Sequence, residues 1–180
     1  MGKRSDYVRR ERDAYFTPIE AVEPLIDHLP YSFDYVEPCA GDGRLVDHIT
    51  KLTQGQGECL YMGDIEPQDP RVKQCDALQL DLGGYGVVDY CITNPPWDRK
   101  FLHPFIEHWL GICPTWLLFD ADWMHTKQSA TLMTYCSSIV SVGRVKWIEG
   151  SKSTGKDNVC WYLFDAFSVE AGTRFYGRMM

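Results

Sequence analysis

The segment FDYVEPCAGDGRLVDHI, residues 33–49, sets the architecture of this chain. Residues 33–36 are typical of a short buried strand, and residues 44–49 repeat apolar side chains at helical spacing. Between them, Gly41 and Gly43 allow the backbone to bend sharply and to approach a ligand closely. A strand, a glycine-containing turn and a helix in this order open a nucleotide-binding α/β unit.

An acidic residue follows this unit at the distance expected for a nucleoside site. Residues 59–62 form the next apolar run, and Asp64 stands just after it, 22 residues beyond Asp42. A carboxylate about 20 residues after the glycine turn commonly binds ribose hydroxyls in such folds. The turn lacks the full G-x-G-x-x-G spacing, which favours a smaller nucleoside ligand over a dinucleotide. Each element also fits an ordinary strand–helix turn, but their order favours the ligand site.

A second motif, Asn94-Pro95-Pro96-Trp97, follows residues 87–93, an apolar run typical of a buried strand. Each proline locks its own φ at about −65° and pushes the preceding residue toward extended geometry. The Asn94 side-chain oxygen and the Pro95 carbonyl, both acceptors, can then receive the two hydrogens of one planar amino group. Trp97 supplies a face on which the ring of that amine can stack.

This cradle suits methyl transfer to an aromatic amine. The amine of adenine is a poor nucleophile because its lone pair is delocalised into the ring. Two acceptors that hold its hydrogens help the nitrogen become tetrahedral, and positioning with oriented dipoles then favours transfer of an electrophilic methyl group. By itself the tetrapeptide is equally typical of a proline-terminated strand with a packed tryptophan, so the surrounding motifs decide the interpretation.

Five motifs in order give the chain a resemblance to class I S-adenosylmethionine-dependent methyltransferases, and in particular to the adenine-N6 DNA methyltransferases. The resemblance covers about residues 15–167, and the family usually has Tyr or Phe where this chain has Trp97. The motifs are Tyr15-Phe16-Thr17-Pro18, Glu37-Pro38-Cys39-Ala40-Gly41-Asp42-Gly43, Asp64, Asp76-Ala77-Leu78 and Asn94-Pro95-Pro96-Trp97.

The resemblance implies an α/β, Rossmann-like methyltransferase fold. We expect a mostly parallel seven-stranded sheet in the order 3-2-1-4-5-7-6, with the last strand antiparallel and helices on both faces. The implied cofactor is S-adenosyl-L-methionine. The expected cofactor-binding residues are Tyr15, Thr17, Pro18, Glu37, Pro38, Cys39, Ala40, Gly41, Gly43, Asp64, Ile65, Asp76, Ala77 and Asn94. The expected catalytic residues are Asn94, Pro95, Pro96 and Trp97.

Other side chains are candidates for contact with the target. Trp123 follows the predicted fifth strand and, with Trp97, is a candidate to stack on a base, although core packing is an equally good interpretation. Lys152 and Lys156 lie in the turn-rich stretch 149–158 and are candidates to contact substrate phosphates. For these lysines, an exposed hairpin connection is the favoured interpretation.

Composition predicts one cytoplasmic catalytic domain. The chain has 180 residues, is 44% hydrophobic and contains no apolar run long enough for a transmembrane helix. Its start does not resemble a secretory signal. Seven cysteines without a CxxC pair, and five histidines without metal-ligand spacing, predict a reducing cytoplasm, no disulfide and no metal site. The resemblance to DNA methyltransferases implies a bacterial or phage-infected host cell.

The net charge of −7 weighs against tight, sequence-independent binding of nucleic acid by this chain alone. Residues 1–14 are basic and expected to be flexible, and they are a candidate phosphate contact or simply a solvated terminus. The catalytic core takes up residues 1–180 almost completely and leaves no separate target-recognition domain. We expect a nucleic-acid partner, DNA rather than RNA, and target recognition aided by a homodimer or a partner subunit.

Three functions stay open at this level. The first is methyl transfer from S-adenosylmethionine to the N6 amine of adenine in DNA. The second is amino methylation of an RNA adenine or a protein glutamine, since each presents a flat NH₂ group. The third is a catalytically silent subunit that binds cofactor or nucleic acid, a role that gives no chemical reason for the motif at residues 94–97.

Overall fold

The computed structural model describes residues 15–148, 150, 154–166 and 172–178. The strands within these residues are β1 (Phe33–Glu37), β2 (Gly57–Asp64), β3 (Lys73–Gln74), β4 (Tyr90–Thr93), β5 (Thr115–Asp120), β6 (Cys136–Arg144), β7 (Asn158–Phe164) and β8 (Arg174–Tyr176). The α-helices are α1 (Ile19–Ile26), α2 (Arg44–Leu52), α3 (Arg99–Leu110) and α4 (Ala130–Met133). No described helix is long and apolar enough to cross a membrane.

All the strands form one sheet in the order β3-β2-β1-β4-β5-β7-β6-β8. Strands β1 to β5 are mutually parallel, and β7 is antiparallel to both of its neighbours, β5 and β6. The predicted Rossmann-like order 3-2-1-4-5-7-6 with one antiparallel strand is therefore confirmed. Strand β8, which pairs parallel with β6 at the sheet edge, is an addition that the sequence pattern does not predict.

The two faces of the sheet carry separate hydrophobic cores. Trp116 and Trp161 face the core that includes Ile49 of α2, whereas Leu117 and Tyr162 face the other core. The central strands are buried on both faces, as expected for strands that helices cover on each side. Removal of their apolar surface from water stabilises the fold. The Trp161 indole also donates to a backbone carbonyl of α1 at 2.7 Å, which anchors that helix to the sheet.

The sixth strand begins earlier than its sequence pattern indicates. The pattern predicts a helix over residues 130–136 and a strand over residues 144–148, but α4 is only four residues long. Strand β6 runs instead from Cys136 to Arg144 and pairs with β7. The long antiparallel ladder with β7, which is interrupted by register shifts at 136–138 and 141–143, outweighs the local helical preference, and residues 145–148 become part of the connection to β7.

Candidate active site

A cavity of about 480 Å³ opens at the carboxyl ends of β1, β2 and β4. Its size is typical of small-molecule sites, which measure about 300–1,000 Å³. The strand order reverses between β1 and β4, and open α/β sheets bind ligands at such a reversal. The lining includes Tyr15, Phe16, Thr17, Glu37, Pro38, Cys39, Ala40, Gly41, Asp64, Ile65, Asp76, Ala77, Asn94 and Pro96.

Asp64 ties the glycine turn to the end of β2. Its Oδ2 accepts the Gly41 N–H at 2.8 Å, and its Oδ1 accepts the Glu66 N–H at 2.8 Å. Gly41 has a φ of 54°, and a Cβ atom there would lie 3.3 Å from the Phe16 ring. The turn therefore needs glycine both for its conformation and for its close approach to the segment before α1. Each carboxylate oxygen of Asp64 can still accept a further hydrogen bond.

Glu37 is the most unusual group in the cavity. Its side chain is 0% exposed, and the Thr93 hydroxyl donates to its Oε1 at 2.6 Å. Its Oε2 finds no hydrogen-bond partner among the described residues. Burial raises the pKa of Glu37 to about 8, against the opposing effect of the Thr93 hydrogen bond. Its Oε2 is shielded from solvent, so a cationic or hydrogen-bond-donating ligand group reaches it only when the surrounding cavity wall shifts.

Asn94 is held by hydrogen bonds on both sides of its carboxamide. Its Nδ2 donates to the Tyr15 carbonyl at 3.2 Å and to the Thr17 hydroxyl at 3.1 Å. Its Oδ1 accepts the indole N–H of Trp97 at 3.2 Å. The sequence predicts that this oxygen accepts from a planar amine; one of its two lone pairs is taken by Trp97, and the second can still accept, so that role stays a prediction. The same bonds join the segment before α1 to the end of β4.

Trp97 belongs to an aromatic wall that we define as Tyr15, Trp97 and Trp147. Trp97 and Trp147 meet edge to face, with ring centroids 5.6 Å apart at 80°, and Tyr15 lies 6.4 Å from Trp147. Trp147 lies in the connection after β6, and sequence reasoning assigns it to a strand rather than to the site. Its contact with Trp97 is apparent only from the structure, because β6 ends at Arg144 and the residues that follow bring Trp147 to the aromatic wall.

The cavity wall beyond Asp64 includes Ile65, Asp76 and Ala77. Ile65 is 57% exposed, and Asp76 forms a tight turn in which its Oδ1 accepts the Leu78 N–H at 3.0 Å. The lining residues that sequence reasoning missed include Phe101 of α3 and Arg44 of α2. Arg44 lies over the Phe16 ring, 5.0 Å from its centroid. Its position in the first turn after the glycine motif is the signal that could have found it.

Several predicted site residues lie elsewhere. Pro18 and Gly43 do not line the cavity; they stand at the N-termini of α1 and α2. Lys156 lies on the exposed surface before β7, outside the cavity. Lys152 and the basic segment 1–14 fall outside the described residues, so their predicted contacts stay predictions.

Trp123 is in the core rather than at the cavity rim. It is 3% exposed, and its indole N–H donates to His103 Nε2 at 3.0 Å. It meets Phe119 edge to face at 5.1 Å. This packing replaces the predicted contact with the target, because a side chain buried on all sides has no face left for a base. Of its two interpretations, core packing is the one that the structure favours.

Searches with the sequence and with the structure give different outcomes. No protein-family model and no curated protein matches the sequence. Among solved structures, a dimethyladenosine transferase from Plasmodium falciparum is similar, with 15% identity and a TM-score of 0.56 over 83% of this chain and 62% of that one. The M protein of the type I restriction enzyme EcoKI is 10% identical, with a TM-score of 0.53 over 84% and 45% of the two chains.

A third similar structure comes from Listeria monocytogenes and is described as a candidate class I S-adenosylmethionine-dependent methyltransferase. It is 11% identical, with a TM-score of 0.57 over 96% of this chain and 68% of that one. The chain thus spans less than two thirds of the length of the first two proteins. At these identities the likeness establishes the Rossmann-like methyltransferase fold and nothing finer.

Proposed function

We propose that the cavity binds S-adenosylmethionine and that the protein transfers its methyl group to the N6 amine of adenine in DNA. The proposal that S-adenosylmethionine binds here rests on Glu37, whose buried Oε2 has no hydrogen-bond partner among the residues described. The α-ammonium group of a bound amino acid would supply the missing donors and a compensating positive charge. Few other small ligands combine a cationic amino-acid end with a nucleoside end.

The remaining walls fit the rest of the same ligand. Asp64, at the mouth of the glycine turn, keeps acceptor capacity for ribose hydroxyls. Ile65 and Ala77 offer apolar surface for an adenine ring, and Asp76 lies beside them as an acceptor for its amine. When bound, S-adenosylmethionine supplies an electrophilic methyl group on a sulfonium centre. The similar structure from Listeria monocytogenes is described as a candidate class I S-adenosylmethionine-dependent methyltransferase, which supports this choice of cofactor.

The end of β4 supports an amine as the acceptor of the methyl group. Asn94 both lines the cavity and touches Trp97, so it stands between the cofactor site and the aromatic wall. Its Oδ1 can accept a hydrogen from a primary amine, which favours the tetrahedral nitrogen whose lone pair attacks. The transfer needs no strong base before attack, since the nitrogen loses its proton after the new N–C bond forms. Trp97 and Trp147 offer ring surfaces to an extruded base.

DNA is the proposed carrier of the adenine, and an RNA adenine is the second candidate. The M protein of a restriction enzyme and a dimethyladenosine transferase are both among the similar structures. They support adenine as the target base, but they do not distinguish DNA from RNA as the substrate. Target recognition in this proposal involves a second copy of the chain or a partner subunit. The M protein of a type I restriction enzyme among the similar structures supports such an assembly.

The test is transfer of labelled methyl from S-adenosylmethionine to duplex DNA, single-stranded DNA, RNA and protein, followed by nucleoside analysis. We expect N6-methyladenine in DNA. Asn94→Ala should lower the rate about 10²–10³-fold, because it removes an oriented acceptor. Asn158→Ala is the matched control, since Asn158 is exposed and does not line the cavity. Product in RNA alone would favour the second candidate, and an active Asn94→Ala enzyme would remove the catalytic assignment.

A further inference from the structure

The orientation of the Asn94 carboxamide is determined without any help from Trp97. The Tyr15 carbonyl can only accept a hydrogen bond, and it lies 3.2 Å from one end of the amide. That end must be nitrogen, which places Oδ1 on the opposite side, toward Trp97. The Thr17 hydroxyl, 3.1 Å away, accepts from the same nitrogen. The Trp97 N–H is therefore not needed to position the amide.

The Trp97 indole N–H instead donates to Asn94 Oδ1, the oxygen that accepts from the target amine in the proposed reaction. Indole nitrogen is a donor only, and it lies 3.2 Å from Asn94 Oδ1. This distance is at the long end of the range for N–H···O bonds, so the contact is a weak one. A donor that approaches Oδ1 from the target side must share the oxygen with the indole or displace it.

Stacking on Trp97 and the Trp97–Asn94 bond compete geometrically. The N–H bond lies in the plane of the indole ring, so Trp97 presents its edge to Asn94. A base stacked on the face of Trp97 lies in a plane parallel to the indole ring and one ring thickness away from it. The amine of that base lies in the plane of the base, so it would miss Asn94 Oδ1, which lies near the plane of the indole. Trp97 is only half-buried, meets Trp147 edge to face and packs against the margins of both hydrophobic cores, so a change of ring orientation exchanges contacts on its exposed side only.

We propose that Trp97 is a specificity-determining residue: its indole N–H takes up one of the two acceptor sites of Asn94 Oδ1 and holds the ring edge-on until a primary amine on the target displaces it. This inference rests on the proposed function for the identity of the amine. A base with hydrogen in place of the amine, such as purine, offers no N–H donor to Oδ1 and leaves the indole in place. Binding of an adenine exchanges one weak hydrogen bond for another and frees the ring face for stacking.

The kinetic test compares Trp97→Phe with Trp147→Phe. Phenylalanine at position 97 keeps an aromatic face but has no N–H, so the acceptor is permanently open. We expect the KM for an adenine-containing oligonucleotide to fall about two- to tenfold, the size of one hydrogen-bond exchange. Cofactor affinity should not change. Trp147→Phe alters the same wall without touching Asn94, so its KM should not fall. An unchanged or raised KM in Trp97→Phe overturns the inference.

A second readout is independent of turnover. In ¹⁵N-labelled protein with bound S-adenosylhomocysteine, the Trp97 indole resonance is identified by its loss in Trp97→Phe. An adenine oligonucleotide should move it toward its position in Asn94→Ala, and the same strand with unsubstituted purine in place of the adenine should not. A bound adenine strand that leaves the resonance in place overturns the inference.

The same titration separates this inference from the proposed function. If no adenine is methylated but another primary amide or amine, such as a glutamine peptide, moves the Trp97 resonance, the adenine assignment fails and the role of Trp97 stands. If adenine is methylated and the resonance never moves, the function stands and the role of Trp97 fails.

Discussion

Glu37→Gln should remove most of a specific pH dependence of stability. The folded protein raises the pKa of Glu37 from 4.5 to about 8, so between these values it binds more protons than the unfolded chain. Stability therefore falls as pH rises through this window. At 1.36 kcal/mol per pKa unit, the full effect is about 5 kcal/mol, of which about 2 kcal/mol falls between pH 6 and pH 8. That loss corresponds to a decrease in Tm of roughly 4–8 °C for a domain of this size.

The assay is thermal unfolding of the ligand-free protein at pH 6, 7 and 8. The wild-type Tm should fall across this range by roughly 4–8 °C more than the Tm of Glu37→Gln. Glu66→Gln is the matched control, because Glu66 lines the same cavity but is exposed to solvent. Its pH profile should follow that of the wild type. Identical profiles for Glu37→Gln and the wild type would refute the account of a buried, protonated carboxyl.

The same carboxyl should couple cofactor binding to proton release. The α-ammonium group favours the ionised form of Glu37, so binding below pH 8 expels about one proton. The Kd for S-adenosylmethionine should then fall about tenfold between pH 6 and pH 7, and less between pH 7 and pH 8. In Glu37→Gln, binding should be weaker and nearly independent of pH. Calorimetry in buffers of different ionisation enthalpy measures the proton directly, and a wild-type Kd that does not vary with pH would contradict the ammonium contact.

Three further substitutions test individual parts of the site. Asp64→Ala should weaken cofactor binding by about 1.5–3 kcal/mol in calorimetry, as expected for a lost charge-assisted hydrogen bond, and an unchanged affinity would remove the ribose role. Gly41→Ala should lower the free energy of unfolding by about 1–2 kcal/mol in urea, because its φ of 54° and the Phe16 ring both oppose a side chain; an unchanged midpoint would contradict the strained turn. Trp123→Phe should cost about 1 kcal/mol of stability through the lost bond to His103 and leave target affinity unchanged. A raised target KM at unaltered stability would instead return Trp123 to the site.

The order of the first five strands and the place of the cavity follow from local signals. Gly41 marks a strand-to-helix turn that few other residues tolerate, and the apolar runs around it are long enough to be read as buried strands. Once those strands are parallel, their carboxyl ends share one edge, so Asp64 and Asn94 meet at the cavity although they are distant in the chain. The predicted sheet and most of the predicted lining agree with the structure for this reason.

The C-terminal third is harder to predict because its pattern is ambiguous. Residues 130–148 contain apolar side chains at spacings that suit a helix or a strand, and the ladder with β7 decides between them. Strand β8 is only three residues long and is recognisable only through its pairing with β6. Trp123 shows the same limit, since a tryptophan after a strand can face either the core or a ligand.

The residues alone determined a mostly parallel sheet, a glycine turn with its acidic partner and a proline-containing corner at the end of β4, because glycine, proline and strand patterns act through the backbone nearby. The hydrogen bonding at that corner could not be predicted from the sequence. The Glu37 oxygen that lacks a partner among the described residues, the bond from Trp97 to Asn94 and the contact of Trp147 with Trp97 each depend on which side chains come together in space. Packing between segments far apart in the chain governs burial and hydrogen-bond partners, and with them the chemistry available to each group.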